Sequence, residues 1–301
     1  MSAEARGSET DRTSIVIVAH DSGPLLRESV AAALVASAGA EVILVDNASM
    51  DGEPAQLAAA HAGALRFRLL RNDRNLGFGP ACNRGAHVAR GDALLFLNPD
   101  CMIAPDSIRS LRSIAVANPS IGLLGVDVRT PGGLSARGNR RRDPTLRRAF
   151  MTFTGLARFA SRWPALEGVE MSAADATTPP IEYVEAVSGA CMFLPRRVFE
   201  AIGGFDEGYF LHVEDLDLCR RVRDAGYAVA IAHAVKARHV QGSSSRRRPL
   251  FVAWHKCRGM WRYFRKFDPA ARNVVLRGIV FAGLWLRFAL MAPFVLLRRR
   301  S

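Results

Sequence analysis

The sequence predicts an α/β fold in which helices cover both faces of a mostly parallel sheet. Between residues 14 and 128, short apolar runs rich in β-branched residues alternate with segments of helical composition. Strands that recur about every twenty residues with a helix between them form parallel units with right-handed crossovers. The runs are bounded by Gly, Pro, Asn or Asp, as is typical of strands buried on both faces. We therefore expect an open sheet whose ligands bind beyond the carboxyl ends of its strands.

The elements of this half follow in order along the chain. The predicted strands cover residues 14–19, 41–45, 65–70, 93–97 and 121–128. The predicted helices cover residues 25–37, 53–61, 80–90 and 105–117. Pro80 falls in the first turn of the third helix, where a missing N–H does no harm.

The second half is less regular. In residues 131–180 the strand–helix regularity fails, and six of the eight arginines lie close together among Gly, Pro and Asp: Arg137, Arg140, Arg141, Arg142, Arg147 and Arg148. This composition favours a solvated mobile loop. The alternative is a loop that closes over a phosphate-bearing substrate. The remaining predicted elements are a strand–turn–strand segment at 183–195, a helix at 196–202, a helix at 214–226 and a strand at 228–239.

Composition and charge describe a neutral body with a basic tail. The five cysteines form no CxxC pair and no metal-type spacing, so we expect reduced thiols in a cytosolic compartment. Residues 1–12 are polar and predict a disordered lead, not a signal peptide. Residues 246–301 contain fourteen Lys and Arg and one acid, while the basic and acidic groups of the rest balance. Such a tail predicts attraction to an anionic surface.

The tail interleaves basic and aromatic residues and then becomes apolar at 278–297. Twenty residues would just span a bilayer, but a central charge such as Arg287 costs about 2.5–3.5 kcal/mol there. We therefore favour helices that lie in the membrane interface. A shallow or marginal span and a helix pair in the core of a homodimer are the alternatives. Interleaved Trp and Phe fit lipid better than nucleic acid, so no nucleic-acid partner is expected.

The strand at 93–97 ends abruptly in Asn98-Pro99-Asp100. Pro99 cannot continue a central strand, so the chain leaves the sheet there. Asp100 is then expected just beyond the carboxyl end of the strand, where open α/β sheets bind ligands. The alternative role of such an Asp is to cap the next helix.

Six short motifs follow one another along the chain, and their order as a set indicates a family. They are Ile15-Val16-Ile17-Val18, Val45-Asp46-Asn47-Ala48-Ser49-Met50-Asp51-Gly52, Asn75-Leu76-Gly77-Phe78-Gly79 with Cys82-Asn83-Arg84-Gly85, Leu97-Asn98-Pro99-Asp100, Gly203-Gly204-Phe205-Asp206 and Glu214-Asp215-Leu216-Asp217-Leu218. Together they resemble family 2 glycosyltransferases, inverting enzymes of the GT-A fold, and most of all the bacterial rhamnosyltransferase-like branch. The resemblance covers about residues 14–242. It implies a glycosyltransferase domain at 13–245, with a nucleotide-sugar half at 13–130, a variable region at 131–180 and an acceptor half at 181–245, followed by membrane-associating helices at 246–301.

The resemblance implies a divalent metal, Mg²⁺ or Mn²⁺, which neutralises the diphosphate of the donor. The family usually has Asp-x-Asp at this strand end, whereas this chain has Asn98 before Asp100. Asp100 is therefore the expected metal ligand, and the departure puts direct contact through Asn98 in doubt. His239 matches a His that completes the metal or diphosphate site in relatives, and a structural His is the alternative.

The resemblance also implies the nucleotide-sugar residues, which are Ala19, Asp46, Asn75, Gly77, Asn83, Asn98 and Asp100. The Asp46 carboxylate could accept a hydrogen bond from a pyrimidine N3–H, which supports a uracil- or thymine-type donor. Its competing role is to cap the turn that it forms with Asn47. Asn75 and Gly77 would let the backbone approach the nucleotide closely.

On the acceptor side the resemblance implies Ser188, Gly189 and Glu214, with Asp215 as the general base. An inverting transfer needs such a base because the acceptor hydroxyl must lose its proton as it attacks. We expect burial beside Glu214 and Asp217 to raise the pKa of Asp215. Glu214 and Asp217 are the alternatives for the base.

The expected function is transfer of a sugar to a polyprenyl-linked or polysaccharide acceptor at the cytoplasmic face of the bacterial inner membrane. The branch resemblance implies L-rhamnose from dTDP-rhamnose. UDP-galactofuranose, UDP-glucose and GDP-mannose are alternative donors. A catalytically silent GT-A scaffold at the membrane is the alternative from another class, and Asn98 is the feature that favours it. The sequence does not disclose the oligomeric state.

Overall fold

The computed structural model describes residues 12–36, 39–136, 138–171, 174, 177–240 and 248–297, with side chains to residue 293. Residues 1–11 of the predicted lead, Arg137, the tail residues Arg246 and Arg247, and the closing Arg298–Arg300 lie outside the described residues. Within them the strands are β1 Thr13–Ala19, β2 Glu41–Asp46, β3 Phe67–Arg71, β4 Ala93–Leu97, β5 Cys101–Ile103, β6 Ile121–Arg129, β7 Arg140–Arg141, β8 Ile181–Tyr183, β9 Ala186–Val187, β10 Cys191–Pro195 and β11 Ala228–His239. The α-helices are α1 Leu25–Ala36, α2 Glu53–Ala60, α3 Phe78–Val88, α4 Ser107–Ala117, α5 Leu146–Thr154, α6 Arg196–Ala201, α7 Glu214–Asp224, α8 Pro249–Phe267 and α9 Val274–Leu297. Short 3₁₀ helices cover Leu156–Phe159, Pro164–Leu166 and Pro269–Arg272.

A nine-stranded sheet organises the described part of the chain. Eight of its strands lie in the order β3-β2-β1-β4-β10-β6-β11-β5, and β8 pairs with β11 outside this path. The pairs β1–β2, β1–β4, β2–β3 and β6–β11 are parallel, whereas β10 is antiparallel to both β4 and β6. A short second sheet pairs β7 with β9. The predicted mostly parallel α/β fold is confirmed.

Both faces of the sheet are buried, as the uninterrupted apolar runs predict. Along β1, Ile15 and Ile17 pack into one core cluster, and Val16 and Val18 pack into the other. Alternate side chains of a strand point to opposite faces. The helices on the two sides therefore cover separate apolar layers.

The region 131–180 contains a helix that the sequence reading did not predict. In α5, the Thr145 side chain accepts a hydrogen bond from the Arg148 N–H, and Gly155 ends the helix in the left-handed conformation. Phe150 and Phe153 of this helix are exposed. Leu146, Ala149, Phe150 and Phe153 recur at helical spacing, so the sequence does carry a local signal for this helix, although its apolar face does not join the core.

The tail forms a helical hairpin against the main domain. Tyr263 of α8 packs into a core cluster of the domain, and α9 folds back on α8. Trp254 lies 4.4 Å from Trp285 between ring centroids, and Trp261 lies 5.2 Å from Phe281. Helix α9 is long and apolar enough over Val274–Pro293 to cross a membrane, by length and composition alone.

Candidate active site

A cavity of about 1320 Å³ opens at the carboxyl ends of β1, β2 and β4. Nine of the residues proposed from the sequence line it: Asn75, Gly77, Asn98, Asp100, Ser188, Gly189, Glu214, Asp215 and His239. Asn75, Gly77, Asn98 and Asp100 follow the carboxyl ends of β3 and β4, which share one edge of the sheet. Ser188 and Gly189 lie between β9 and β10, Glu214 and Asp215 begin α7, and His239 ends β11.

Asn47 organises the wall formed by the loops after β2 and β3. Its amide nitrogen donates to Asn75 Oδ1 at 2.9 Å and to the Gly77 carbonyl at 3.0 Å. Its Oδ1 accepts from the Asn72 amide at 2.9 Å and from the Leu76 N–H at 3.0 Å. Asn47 is 2% exposed, so this network is a buried clamp that holds the loop at the cavity edge.

Position 77 requires glycine because the backbone of Phe210 passes too close to leave room for a side chain. Its φ is +93°, and a Cβ at this position would lie 2.4 Å from the Phe210 carbonyl oxygen. The neighbouring Phe78 N–H donates to the same oxygen at 2.9 Å. The loop after β3 is thus fastened to the turn that precedes α7.

Asp100 and His239 face each other at the edge of the sheet. Pairing of β5 with β11 brings His239 opposite Cys101, and His239 Nε2 lies 2.9 Å from Asp100 Oδ1. Asn98 Nδ2 lies 3.5 Å from the same His nitrogen. His239 Nδ1 is buried without a hydrogen-bond partner in the described structure.

Asp100 and His239 could hold a divalent metal whose remaining ligands come from substrate and water. No group of three or more His, Cys, Asp or Glu side chains in the described residues could hold a metal by itself. Mg²⁺ is commonly bound by one or two carboxylates together with phosphate oxygens and water, so Asp100 is the principal candidate ligand and His239 an additional one. One carboxylate beside one imidazole is therefore a sufficient protein contribution.

A strained turn positions the acids at the start of α7. His212 and Val213 have φ values of +64° and +74°, which non-glycine residues adopt only when the surroundings impose them. Burial, and then the charge of Lys256, lowers the pKa of His212 to about 4. Burial, and then the neighbouring Asp215 charge, raises the pKa of Glu214 to about 8. Glu214 Oε2 is buried without a partner in the described structure, as fits a protonated carboxyl.

Asp215 differs from the expectation of a raised pKa. Burial raises its pKa, but the Arg141 guanidinium, which forms an ion pair with Oδ2, outweighs burial and lowers it. The Gly189 N–H donates to Oδ2 at 3.1 Å, and the Leu216 N–H donates to Oδ1 at 2.8 Å. Of the two adjacent acids, the raised pKa belongs to Glu214, because Arg141 contacts only Asp215 directly.

Three predicted nucleotide-sugar residues do not line the cavity. Ala19 is the last residue of β1 and is fully buried, and its carbonyl accepts the Asn47 N–H at 2.8 Å. Asp46 Oδ1 accepts the Ser49 N–H at 2.8 Å, which is the turn-capping alternative. The Asn83 side chain donates to the Phe205 carbonyl at 2.9 Å and accepts from the Phe205 N–H at 2.8 Å. These three residues hydrogen-bond to neighbouring loop residues and do not face the cavity themselves.

Asp217 is also separated from the cavity. It is fully buried, and its carboxylate accepts from Arg221 at 2.5 Å and from Lys266 of α8 at 2.7 Å. It is an unsuitable base because both oxygens are engaged by cations.

Sequence reasoning missed several residues at the cavity, chiefly Arg141, His212 and Lys256. The arginine cluster of 131–180 was a signal for Arg141, and the alternative of a loop that closes over the substrate placed it near the site. The structure pairs Arg141 with Asp215 instead of leaving it for a phosphate. No sequence pattern marked His212 or Lys256, since their position depends on the packing of α8.

Comparisons with known proteins identify the family. A family model described as glycosyl transferase family 2 matches residues 14–165, half of the chain. An N-acetylglucosaminyl-diphospho-decaprenol L-rhamnosyltransferase of Mycobacterium tuberculosis is 33% identical over 261 residues, covering 82% of this chain and 82% of the relative. The chain belongs to glycosyltransferase family 2.

Other relatives of this glycosyltransferase agree with that assignment. The O-antigen biosynthesis protein RfbC of Myxococcus xanthus is 29% identical over 248 residues, which cover 79% of this chain and 18% of RfbC. Among solved structures, GalNAc-T7 with UDP, GalNAc and Mn²⁺ superposes with a TM-score of 0.57 at 14% identity, covering 94% of this chain and 57% of that one. Residues 1–349 of Staphylococcus aureus TarS give a TM-score of 0.55 at 13% identity, over 92% of this chain and 80% of that one. These two structures support the GT-A fold, and the predicted enzyme class is confirmed.

Proposed function

We propose that this glycosyltransferase transfers L-rhamnose from dTDP-rhamnose to a lipid-linked acceptor, with inversion, at the cytoplasmic face of the membrane. The main support is the mycobacterial relative, which is similar over most of both chains and whose name specifies rhamnose and a diphospho-decaprenol acceptor. The apolar helix α9 supports a membrane location. Transfer of another sugar, from a UDP- or GDP-linked donor, is the alternative within the same chemistry.

The donor half of the cavity is proposed at Asn75, Gly77, Asn98 and Asp100. The clamp formed by Asn47 holds the first two at the edge of the cavity, so the backbone there meets a nucleotide without rearranging. Asp100 and His239 would hold the divalent metal, with Asn98 beside them. When bound, the metal supplies charge neutralisation for the departing diphosphate.

The acceptor half is proposed around Asp215, Ser188 and Gly189. The observation that carries the assignment of the base is that the ionised Asp215 lines the same cavity as Asp100 and His239. The acceptor hydroxyl oxygen attacks the anomeric carbon while the bond from that carbon to the diphosphate oxygen breaks. The electron pair of that bond leaves with the diphosphate, and Asp215 takes the hydroxyl proton.

Arg141 and Gly189 keep Asp215 ready for this step. These two donors share Oδ2, and Oδ1 accepts only the Leu216 N–H in the described structure, so a lone-pair site on Oδ1 is left to accept a proton. Protonated Glu214 adds no second negative charge beside it. Two adjacent carboxyl groups in different protonation states are a common arrangement in acid–base catalysis.

The proposal is tested by nucleotide-diphosphate release from a panel of sugar nucleotides with Mg²⁺, Mn²⁺ or chelator, using a lipid extract as acceptor. We expect metal-dependent release from dTDP-rhamnose and a fall in kcat of about 1000-fold in Asp215→Asn, the size of a lost general base. Unchanged dTDP binding and an unchanged Tm in the variant would exclude misfolding. Release of nucleotide diphosphate from a different sugar nucleotide would identify that sugar, not rhamnose, as the one transferred.

Absence of turnover with every donor and with defined polyprenyl-diphosphate acceptors would favour the silent scaffold, to which the substitution of Asn98 for the family's Asp points. Full activity of Asp215→Asn would refute the assigned base. These two outcomes separate the enzyme class from the residue assignment.

A further inference from the structure

We propose that the end of the cavity enclosed by α5, α8 and α9 is the site for an isoprenoid diphosphate, with Lys256 and Arg287 as phosphate ligands and the lipid chain lying between α5 and α9. This inference rests on the lipid-linked acceptor proposed above. It assigns to the tail a binding role in addition to membrane attachment.

The cavity is continuous from the predicted base to the tail. The residues that line it include Asp215 and Ser188 at the sheet edge, and Ala149 and Phe153 of α5. They also include a row on α9, namely Ile279, Val280, Gly283, Leu284 and Arg287. Polar groups therefore surround the reacting end, and apolar side chains dominate the far end. An acceptor with a sugar, a diphosphate and a lipid chain has the same order of polarity.

Two cations lie where the diphosphate would fall. Lys256 of α8 and Arg287 of α9 both line the cavity, which also includes His212 next to the acids of α7. The Arg287 guanidinium lies 5.8 Å from the centroid of the Phe153 ring, so it bridges α9 and α5 at the apolar mouth.

Neither cation is neutralised by the protein. In the described part of the chain, no ion pair involves Lys256 or Arg287, in contrast to Arg141, which is paired with Asp215. A charged side chain within an apolar, membrane-associated helix is costly and is usually retained for a ligand. Both side chains are exposed and line the cavity, so a diphosphate bound there would accept charge-assisted hydrogen bonds from both.

The mouth of the cavity lies between two helices with exposed apolar faces. Phe150 and Phe153 of α5 and Ile279 of α9 are exposed and also line the cavity. Other α9 side chains, such as Leu286 and Leu290, are exposed outside it. A lipid chain could pass from the acyl region of a bilayer into this mouth without crossing a polar surface. This continuity favours an isoprenoid over a peptide or a second nucleotide.

The first test is binding of farnesyl diphosphate to the full-length protein by titration calorimetry, with saturating dTDP and Mg²⁺ to block the donor site. We expect binding that is about tenfold weaker in Arg287→Gln and in Lys256→Gln, because each loses a charge-assisted phosphate contact. Arg277→Gln is the matched control, since Arg277 lies on the same helix but does not line the cavity. Equal weakening in all three variants would show a general charge effect and overturn the site, as would absence of binding to the wild type.

The second test blocks the mouth of the cavity between α5 and α9 with a larger side chain. A Cβ added to Gly283 or to Gly278 meets no atom within 4 Å, so a larger side chain fits at either position without a clash close to the backbone. Only Gly283 lines the cavity. We expect Gly283→Phe to lose most farnesyl diphosphate binding and Gly278→Phe to retain it, with unchanged dTDP binding in both. Equal binding by the two variants would contradict a lipid path between α5 and α9.

These experiments separate the inference from the proposed function. Farnesyl diphosphate carries no sugar and needs no donor, so its binding does not depend on whether the enzyme uses rhamnose. If the donor panel fails but binding shows the predicted dependence on Arg287 and Gly283, the lipid diphosphate site stands. If transfer to lipid is found but binding is insensitive to both residues, this site is wrong and the proposed function stands.

Discussion

Glu214 and Asp215 are neighbours in the chain, yet their surroundings set their pKa values apart. Both are buried, and burial raises the pKa of each. Only Asp215 contacts Arg141, whose charge reverses the effect for that residue. The Arg141 guanidinium, which comes from a distant part of the chain, therefore decides that the pKa of Asp215 is lowered and not raised.

Replacing Glu214 by Gln should change how stability depends on pH. The folded-state pKa of Glu214 is raised to about 8, so the folded protein holds a proton that the unfolded chain releases above about pH 4. Wild-type stability is therefore expected to fall as pH rises through this window, and Gln, which mimics the protonated acid, removes that loss.

Thermal melts at several pH values from 5 to 9 check this expectation. The Tm of Glu214→Gln should exceed that of the wild type by an amount that grows with pH up to about 8, to at least the 2–4 °C that about 1 kcal/mol causes in a protein of this size. Parallel Tm curves for the two proteins would show that Glu214 is ionised in the folded state.

Replacing Arg141 by Gln should shift the pH dependence of catalysis. Without the guanidinium only burial and the backbone donors act on Asp215, so its pKa rises. The acid limb of kcat/KM should move to higher pH by about one unit or more. Arg142→Gln is the matched control, because Arg142 pairs with Glu167 and does not line the cavity. An unshifted profile in Arg141→Gln would mean that this ion pair does not set the protonation of the base.

At the scale of elements, α8 braces the turn that presents the acids. Asp206 accepts hydrogen bonds from Arg262 at 2.7 Å and from Lys266 at 2.7 Å, and Lys266 also reaches Asp217. Burial raises the pKa of Asp206, but these cations outweigh burial and lower it to about 2. Gly259 of α8 lies directly against the strained turn, since an added Cβ would be 3.0 Å from the His212 carbonyl. The Gly203-Gly204-Phe205-Asp206 motif thus serves to dock a helix.

Gly77→Ala should detach the loop after β3 from the turn before α7. The added methyl would overlap the Phe210 carbonyl, and the alanine residue would also have to adopt a positive φ. Gly63→Ala is the control, because Gly63 has φ +81° but open space around its Cβ position. Both variants incur the conformational strain, of about 1–3 kcal/mol. Only Gly77→Ala should in addition weaken dTDP binding, measured by calorimetry, and equal affinities in the two variants would argue against a role of this contact in the donor site.

At the scale of the whole molecule, a neutral catalytic domain carries a basic helical hairpin. Helix α8 belongs to the folded body, because Tyr263 is buried in it, whereas α9 exposes apolar side chains along its length. Removing the whole tail from residue 246 would therefore strip α8 from the site. We propose that α9 is the principal membrane-contacting segment.

Truncation after Asn273 should release the protein from vesicles that contain phosphatidylglycerol while leaving the domain folded. Apolar burial and charge attraction both contribute to binding at such surfaces. A second truncation after Leu297 removes only the closing Arg298–Arg300 and Ser301, and it should weaken binding in proportion to the lost charge. Co-sedimentation at low and high salt measures both effects. Undiminished binding of the shorter protein would assign membrane contact to other segments.

The fold class and many residues of the candidate site were predictable from the sequence. The strand at 93–97 and the strand at 228–239 are found where the sequence predicts them, because a buried strand is a local apolar run between breakers. The end of the strand at 93–97 predicted the position of Asp100, whereas His239 and Asp215 were predicted from the family resemblance.

Only the tertiary structure decided the contacts between segments far apart in the chain. It inserted β10 antiparallel between β4 and β6, brought Arg141 to Asp215 across 74 residues, and laid α9 along the far end of the cavity. It also turned Ala19, Asp46 and Asn83 into supports behind the site. No local pattern encodes these pairings, because each depends on which distant surfaces bury one another when the chain folds.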